Sequence, residues 1–435
     1  MMVAKFRRKA PAKGSSGNSC EAKAGCHSTL TDAAQSGRRD YAVTYFQSQV
    51  EHCLIYAESQ KKRGRKIVGI MCEFTPREII MAAGGVPVCL CGGSAEMAES
   101  AEKILPSNLC PLVKSTFGFS LEKENPFLEM SDLLVAETTC DGKKKMYELL
   151  AEKHPMHVLE LPQKPDERDA FQHWVAELKK LKAVLERQLV TKITDKKLRE
   201  AIRLMNRERK YKRDLAALMK SDDPPLTGRN LLDMRSLISG MPLDFEQYER
   251  ALWLLEGGSR NPATRSHVRV LVTGVPLAHG AERVLDIVEG CGGLVVCQEN
   301  CTGIKPVLED VDENDEDPIH ALAEKYFHLP CSVMTRNARR LDQLRVLAHE
   351  YRVECVIELV WQCCITYDIE SISVKRLITD ELRLPYLRIE TDYSPSDSAR
   401  IILRIQSLFE TVNARKGLQP RSNASPRGSQ PSGRV

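Results

Sequence analysis

The chain contains no apolar stretch suited to crossing a membrane. Its longest charge-free apolar run, residues 79–95, is 17 residues long and is interrupted by Gly84, Gly85, Pro87, Gly92 and Gly93, whereas a membrane helix needs about 20 unbroken apolar residues. The basic start MMVAKFRRKAPAKG passes into GSSGNS without the apolar segment of a secretory signal. A cytoplasmic location with reduced thiols is therefore expected, and a disulfide framework is not. G-x-x-x-x-G-K-[ST] and the G-x-G-x-x-G strand-to-helix turn are both absent, so no phosphate cradle is visible and any nucleotide energy is expected to come from a separate protein. C-x-x-C is missing as well, which removes the usual pairing of zinc ligands. So is the closely spaced cysteine run of ferredoxins.

The positive charge is not where a nucleic-acid protein would carry it. Residues 1–20 hold five Lys or Arg and no acid, residues 413–435 hold another five and no acid, and the formal +4 of the chain becomes −6 for the remainder. A nucleic-acid footprint belongs on the fold itself, in register with phosphates. At 435 residues with 42% hydrophobic and 28% charged side chains, the chain should form at least two packed units with a sizeable core.

Residues 1–38 and 412–435 read as basic tails without apolar periodicity. Between them, short apolar runs alternate with amphipathic helix patterns in 39–162 and again in 263–411, the rhythm of βαβ units and a parallel sheet. KIVGIM, VPVCLC, DLLVAETTC and MHVLEL in the first half find counterparts in VRVLVTG, LVVCQENC, ECVIELVWQCC and YLRIET in the second. The expectation is an α/β protein of two pseudo-repeated doubly wound lobes, with ligands outside the C-terminal strand ends. The insert, 163–262, is helical by pattern: Phe171, Trp174, Leu178, Leu181, Leu185 and Leu189 recur at steps of three and four. Thr194 ahead of DKKLREAIRLMNRERK is a helix N-cap. The basic run 207–213 has only Tyr211 as an interleaved aromatic residue and reads as a solvated helix face.

Fifteen cysteines are the chain's most informative feature. Cys89, Cys91, Cys297 and Cys355 lie inside apolar runs and read as small core hydrophobes. Cys20 and Cys26 lie in or beside the tail, and Cys53 lies in an early helix. Six others sit at strand ends or beside proline in loops: Cys72, Cys110 and Cys140 in the first half, Cys301, Cys331 and Cys364 in the second. So many soft ligands suit zinc or iron–sulfur clusters. Spacing alone leaves two readings open, ligands of a cluster held by a rigid fold or reduced bystander thiols. Tyr367, Glu370 and Glu73 are candidate acid–base groups, each with a structural alternative.

Several ordered motifs carry a family resemblance: CEFTPREIIMAAGGVPV, ILPSNLCPLVKSTFG, TTCDGKKKMYELL, KITDKKLREAIRLMNRERK, ENCTG, HLPC, CCITYDIES and RIETDYSPSD. On these, 40–411 resembles the 2-hydroxyacyl-CoA dehydratase D-component family, most closely its branch of double-cubane iron–sulfur proteins. The resemblance implies two flavodoxin-like lobes around an oxygen-sensitive cluster and a symmetric dimer. It also implies a separate ATP-hydrolysing activator, itself an iron–sulfur protein, as electron donor. It further implies that Cys110, Cys140 and Cys364 hold one [4Fe–4S] cubane, and that Cys72, Cys301 and Cys331 hold a second one joined by a bridging sulfide. The expected function is reduction of a small substrate. The alternatives are a 2-hydroxyacyl-CoA dehydratase subunit with a single cubane and a non-catalytic electron carrier. Ile365 stands where many relatives have histidine, Arg400 where they have glutamine, and Cys363 competes with Cys364 for the inward position.

Overall fold

The computed structural model describes residues 37–256 and 267–418; Cys20, Cys26 and most of both expected tails lie outside them. Two four-stranded sheets, parallel throughout, form the centre of the molecule. The first comprises β1 (Ile67–Ile70), β2 (Val86–Cys89), β3 (Leu133–Glu137) and β4 (Met156–Leu159) in the order β2-β1-β3-β4. The second comprises β5 (Val268–Gly274), β6 (Gly293–Glu299), β7 (Cys355–Trp361) and β8 (Tyr386–Thr391) in the order β6-β5-β7-β8. β1, β2, β3, β6 and β7 are buried along their whole length, which is why they read as unbroken apolar runs: helices cover both faces of each sheet. The repeated order reverses direction between β1 and β3, and between β5 and β7. Each lobe therefore has a switch-point crevice at its C-terminal strand ends, the flavodoxin-like arrangement.

The helical insert contributes to both cores, Trp174 to Ile202 joining the first and Leu215, Met219 and Tyr248 to Leu255 joining the second. In the helix Arg168–Gln188, Trp174, Leu178, Leu181 and Leu185 are fully buried, each such leucine contributing about 2 kcal/mol of apolar burial. Thr194 caps the helix Asp195–Ala217 as expected, accepting the Lys197 amide at 3.4 Å. The basic run departs from the expected solvated face, because distant acids meet its side chains. Arg207 pairs with Glu249, Arg213 with Asp310, and Arg209 is buried against Glu78. The last helix, Ser398–Leu418, continues past the expected start of the C-terminal tail at 412.

The two halves interlock. Residues of 311–334, including the helix Pro318–Phe327, pack into the core of the first lobe, while Ala42, Val43 and Phe46 pack into that of the second. A glycine seam joins the lobes: the Gly93 amide donates to the His279 carbonyl at 3.0 Å. Gly280 has φ +92°, and a Cβ there would lie 2.1 Å from the Gly93 carbonyl oxygen. Only glycine allows the chains this approach.

Candidate metal centre

The six singled-out thiols stand in the connections between strands and helices or between helices. Cys110, Cys140 and Cys364 are the N-cap residues of the helices Pro111–Glu122, Asp141–Ala151 and Ile365–Arg376. Cys72 follows β1, Cys301 follows β6, and Cys331 lies in the turn after Pro318–Phe327 with its amide donating to Leu329 O at 2.8 Å. Every cysteine among the described residues is a free thiol.

The electrostatics divide the six differently from their grouping by halves of the sequence. Cys110 shares a hydrogen bond with Cys364, and the charge on Cys140 bears on Cys110. Cys72 instead lies within the electrostatic reach of Cys301 and Cys331. Each set thus draws thiols from both lobes. The Cys364 hydrogen bond lowers the pKa of Cys110, helped by the Leu112 and Val113 amides against burial. The same bond, followed by burial, pushes Cys364 up. In the other set burial dominates, raising Cys72 far above the ordinary thiol range and Cys301 to about 12. Thiols in such a recess ionise when a metal displaces their protons. Of the adjacent pair, Cys363 has φ +59° and is exposed, and Cys364 turns inward.

Residues the sequence reading missed complete the surroundings. Lys143 donates to Met71 O at 3.0 Å; burial works against its ammonium, but Tyr147 and the charges of Cys72, Cys91 and Cys140 hold its pKa high. Lys305 sits 2.9 Å from Glu299 and bears on Cys301. Their signal was position: Lys143 follows Cys140 by three residues and Lys305 follows Cys301 by four, about one helical turn. The hydroxyls of Tyr147, Tyr367 and Tyr393 are buried without a hydrogen-bond partner among the described residues. Each belongs to a thiol set: Tyr147 beside Cys72, Tyr367 beside Cys301 and Cys331, Tyr393 beside Cys110 and Cys364. Buried hydroxyls normally find partners, so three orphans around six thiols fit a sulfur-rich group that accepts hydrogen bonds. Among the described residues no group of three or more His, Cys, Asp or Glu side chains is arranged to hold a single metal ion.

Two of the acid–base candidates are already engaged. Glu73 pairs with Arg77 at 2.7 Å and Arg235 at 3.8 Å, and Glu370 pairs with Arg340 and Asn337. Ile365 is 69% exposed and the exposed Arg400 pairs with Asp397 at 3.1 Å, so both departures from the family pattern point outward. No described helix is long and apolar enough to cross a membrane.

The model of the 2-hydroxyglutaryl-CoA dehydratase D-component matches residues 72–412. The chain is 40% identical over 362 residues, 81% of its length and 93% of the relative's, to the Escherichia coli (strain K12) protein described as "Putative dehydratase subunit YjiM". It is 23% identical to the (R)-phenyllactyl-CoA dehydratase beta subunit of Clostridium sporogenes, over 81% of this chain and 93% of that one. It is 24% identical to one of the subunits of benzoyl-CoA reductase from Thauera aromatica, over 61% of this chain and 68% of that one. Dehydratase and reductase subunits are thus both among its relatives. The cysteine-bearing strand ends and the repeated sheets lie inside or beside the matched span, and the chain belongs to the 2-hydroxyglutaryl-CoA dehydratase D-component family.

Proposed function

We propose that the protein is an iron–sulfur reductase holding a double-cubane cluster, with Cys110, Cys140 and Cys364 on one [4Fe–4S] unit and Cys72, Cys301 and Cys331 on the other. Electrons of low potential reach it from a separate ATP-hydrolysing iron–sulfur activator, and a small molecule is reduced between the lobes; a symmetric dimer belongs to the same reading. What supports this reading is that Cys364 and Cys140 bear on Cys110 while Cys301 and Cys331 bear on Cys72, each grouping drawing on both lobes. Such a group supplies stored low-potential electrons beside an open coordination position. The chain's own residues do the rest. Lys143 and Lys305 offset the accumulated negative charge. The hydroxyls of Tyr147, Tyr367 and Tyr393 donate to sulfur or hold a proton for the substrate.

A second reading, in which the chain is part of a 2-hydroxyacyl-CoA dehydratase with one cubane on Cys110, Cys140 and Cys364, is favoured by the dehydratase subunits among the relatives. It gives no task to Cys72, Cys301 and Cys331. The test is iron and acid-labile sulfide quantification of anaerobically purified protein. About eight irons per chain are expected, from two cubanes. About four would favour the dehydratase, and stoichiometric zinc without sulfide would overturn both. The activator is tested by stopped-flow reduction of the mixed pair with and without ATP. Equal rates and extents in the two cases would leave the electron-carrier reading ahead.

A further inference from the structure

The helix Ile365–Arg376, which Cys364 caps, buries one side through Tyr367, Ser371 and Val374. Its other side carries an apolar row that faces solvent. Ile365, Ile369 and Ile372 are 69%, 65% and 55% exposed, and steps of four and then three residues place them in line along the helix. Arg376, four residues beyond Ile372 and also exposed, ends the row. Ile55, Val346 and Leu403 are by contrast single exposed apolar residues on their helices. Contiguous apolar surface rimmed by charge marks an interaction site. The charges here are unbalanced, because Asp368 is held by Arg388 and Glu370 by Arg340. Lys375 and Arg376 on the same helix, and Arg336 next to the Asn337–Glu370 bond, are exposed and have no acidic partner among the described residues. A second copy of this chain would bring the same uncompensated cations to the contact, whereas a partner with an acidic rim would neutralise them.

We propose that the row Ile365, Ile369, Ile372 and Arg376 is the docking face for the electron-donating activator, which meets it with an apolar centre and an acidic rim. The inference rests on the reading of the protein as an acceptor of electrons from such a partner, and adds where that partner sits. The helix supplies the reason for the place. At 1.5 Å per residue, Ile372 stands about 12 Å along the axis from Cys364 and Ile365 stands beside it. A partner seated on the three isoleucines therefore touches the chain next to a thiol of the candidate metal centre. The division of labour follows from the chemistry of the row: the isoleucines act at contact as apolar anchors, and Arg336, Lys375 and Arg376 steer the approach of an acidic surface.

Anaerobically purified full-length protein is titrated into fluorescently labelled activator loaded with MgATP, and binding is read as anisotropy. Ile369→Glu and Ile372→Glu each set a carboxylate among the isoleucines and should weaken binding about tenfold or more, as loss of an interface anchor does; Ile55→Glu should leave it unchanged. Lys375→Gln/Arg376→Gln should weaken binding at low ionic strength and flatten its salt dependence. Reduction by titanium(III) citrate, which needs no dock, should proceed equally in all of these proteins, with equal iron content and melting temperature. Binding of unaltered strength in both Ile369→Glu and Ile372→Glu would overturn the docking face while leaving the activator reading in place. Failure of the unaltered protein to bind the activator would overturn both. A dimer that falls apart in Ile369→Glu by sedimentation, with activator binding intact, would give the row to a second copy and overturn the proposal.

Discussion

Replacing Arg209 by methionine tests how the helix Asp195–Ala217 holds the site. The guanidinium is 3% exposed and donates to the fully buried Glu78, to Tyr326 Oη at 2.9 Å and to Asn206 Oδ1 at 2.7 Å; Tyr326 Oη in turn donates to Glu78 at 2.8 Å. Glu78 lies on the helix Arg77–Ala82 that follows Cys72, and Tyr326 lies on the helix that leads to Cys331. One cation therefore clamps the approaches to two thiols of the same set. Removing it leaves the buried carboxylate without its salt-bridge partner, held only by the Tyr326 hydroxyl and a backbone amide, which costs about 3–5 kcal/mol. At roughly 2–4 °C per kcal/mol for units of this size, the melting temperature should fall by roughly 6–20 °C. Replacing Glu78 by glutamine in the same chain removes the orphaned charge, so Arg209→Met/Glu78→Gln should recover most of that loss.

The pH dependence has a definite sign. In the native chain burial raises the Glu78 pKa, but Arg209 outweighs it and the value ends below normal. That stabilisation is present above the unfolded pKa of about 4.3 and is lost as pH falls through the lower folded value. Without Arg209, burial prevails and the folded chain holds a proton that the unfolded chain has lost, so the variant weakens as pH rises. Lys325, which burial and then Arg209 hold down to about 7, regains its proton more easily and adds to this trend. The gap between native and variant melting temperatures should widen from pH 5 to pH 8. Additive losses in the double variant, or a gap independent of pH, would refute the clamp.

Three further outcomes are expected. Glu137 accepts from Thr75, and burial pushes its pKa up to about 8. The folded chain keeps a proton there between the unfolded value and about 8, so native stability should fall as pH rises through that window; Glu137→Gln should lose this slope in pH-dependent melting, and parallel curves for the two proteins would count against it. Gly280→Ala would drive a methyl group into the Gly93 carbonyl at the lobe seam, so anaerobic iron retention should drop for both thiol sets, and full iron with an unchanged melting curve would contradict the seam's role. Alanine at any of Cys72, Cys110, Cys140, Cys301, Cys331 or Cys364 should deplete bound iron. Two losses within one set should cost little more than the first, while losses across sets should add; Cys20→Ala, Cys26→Ala and Cys53→Ala should leave iron unchanged.

Local pattern determined much of this protein from its letters. Strands buried on both faces must be apolar throughout, so the runs that became β1, β2, β3, β6 and β7 stood out, and the repetition of eight short runs announced two similar lobes. The step of three and four in the insert marked Trp174, Leu178, Leu181 and Leu185 as one buried helix face, since burial follows the helical period. The six cysteines were visible because a residue just past a strand or just ahead of a helix is constrained by backbone geometry that short sequence stretches encode.

Tertiary structure decided what sequence order cannot carry. The two lobes meet where Gly92 and Gly93 come against His279 and Gly280, partners almost 190 residues apart in the chain. The basic run stopped being a solvated face because Glu78, Glu249 and Asp310 arrive from distant segments. Cys89 resembled core filling in its apolar run, and only the fold set Arg235 against its sulfur. Periodicity reports which side of an element is buried; it does not report which distant charge will share that burial, and electrostatic energies depend on that distance.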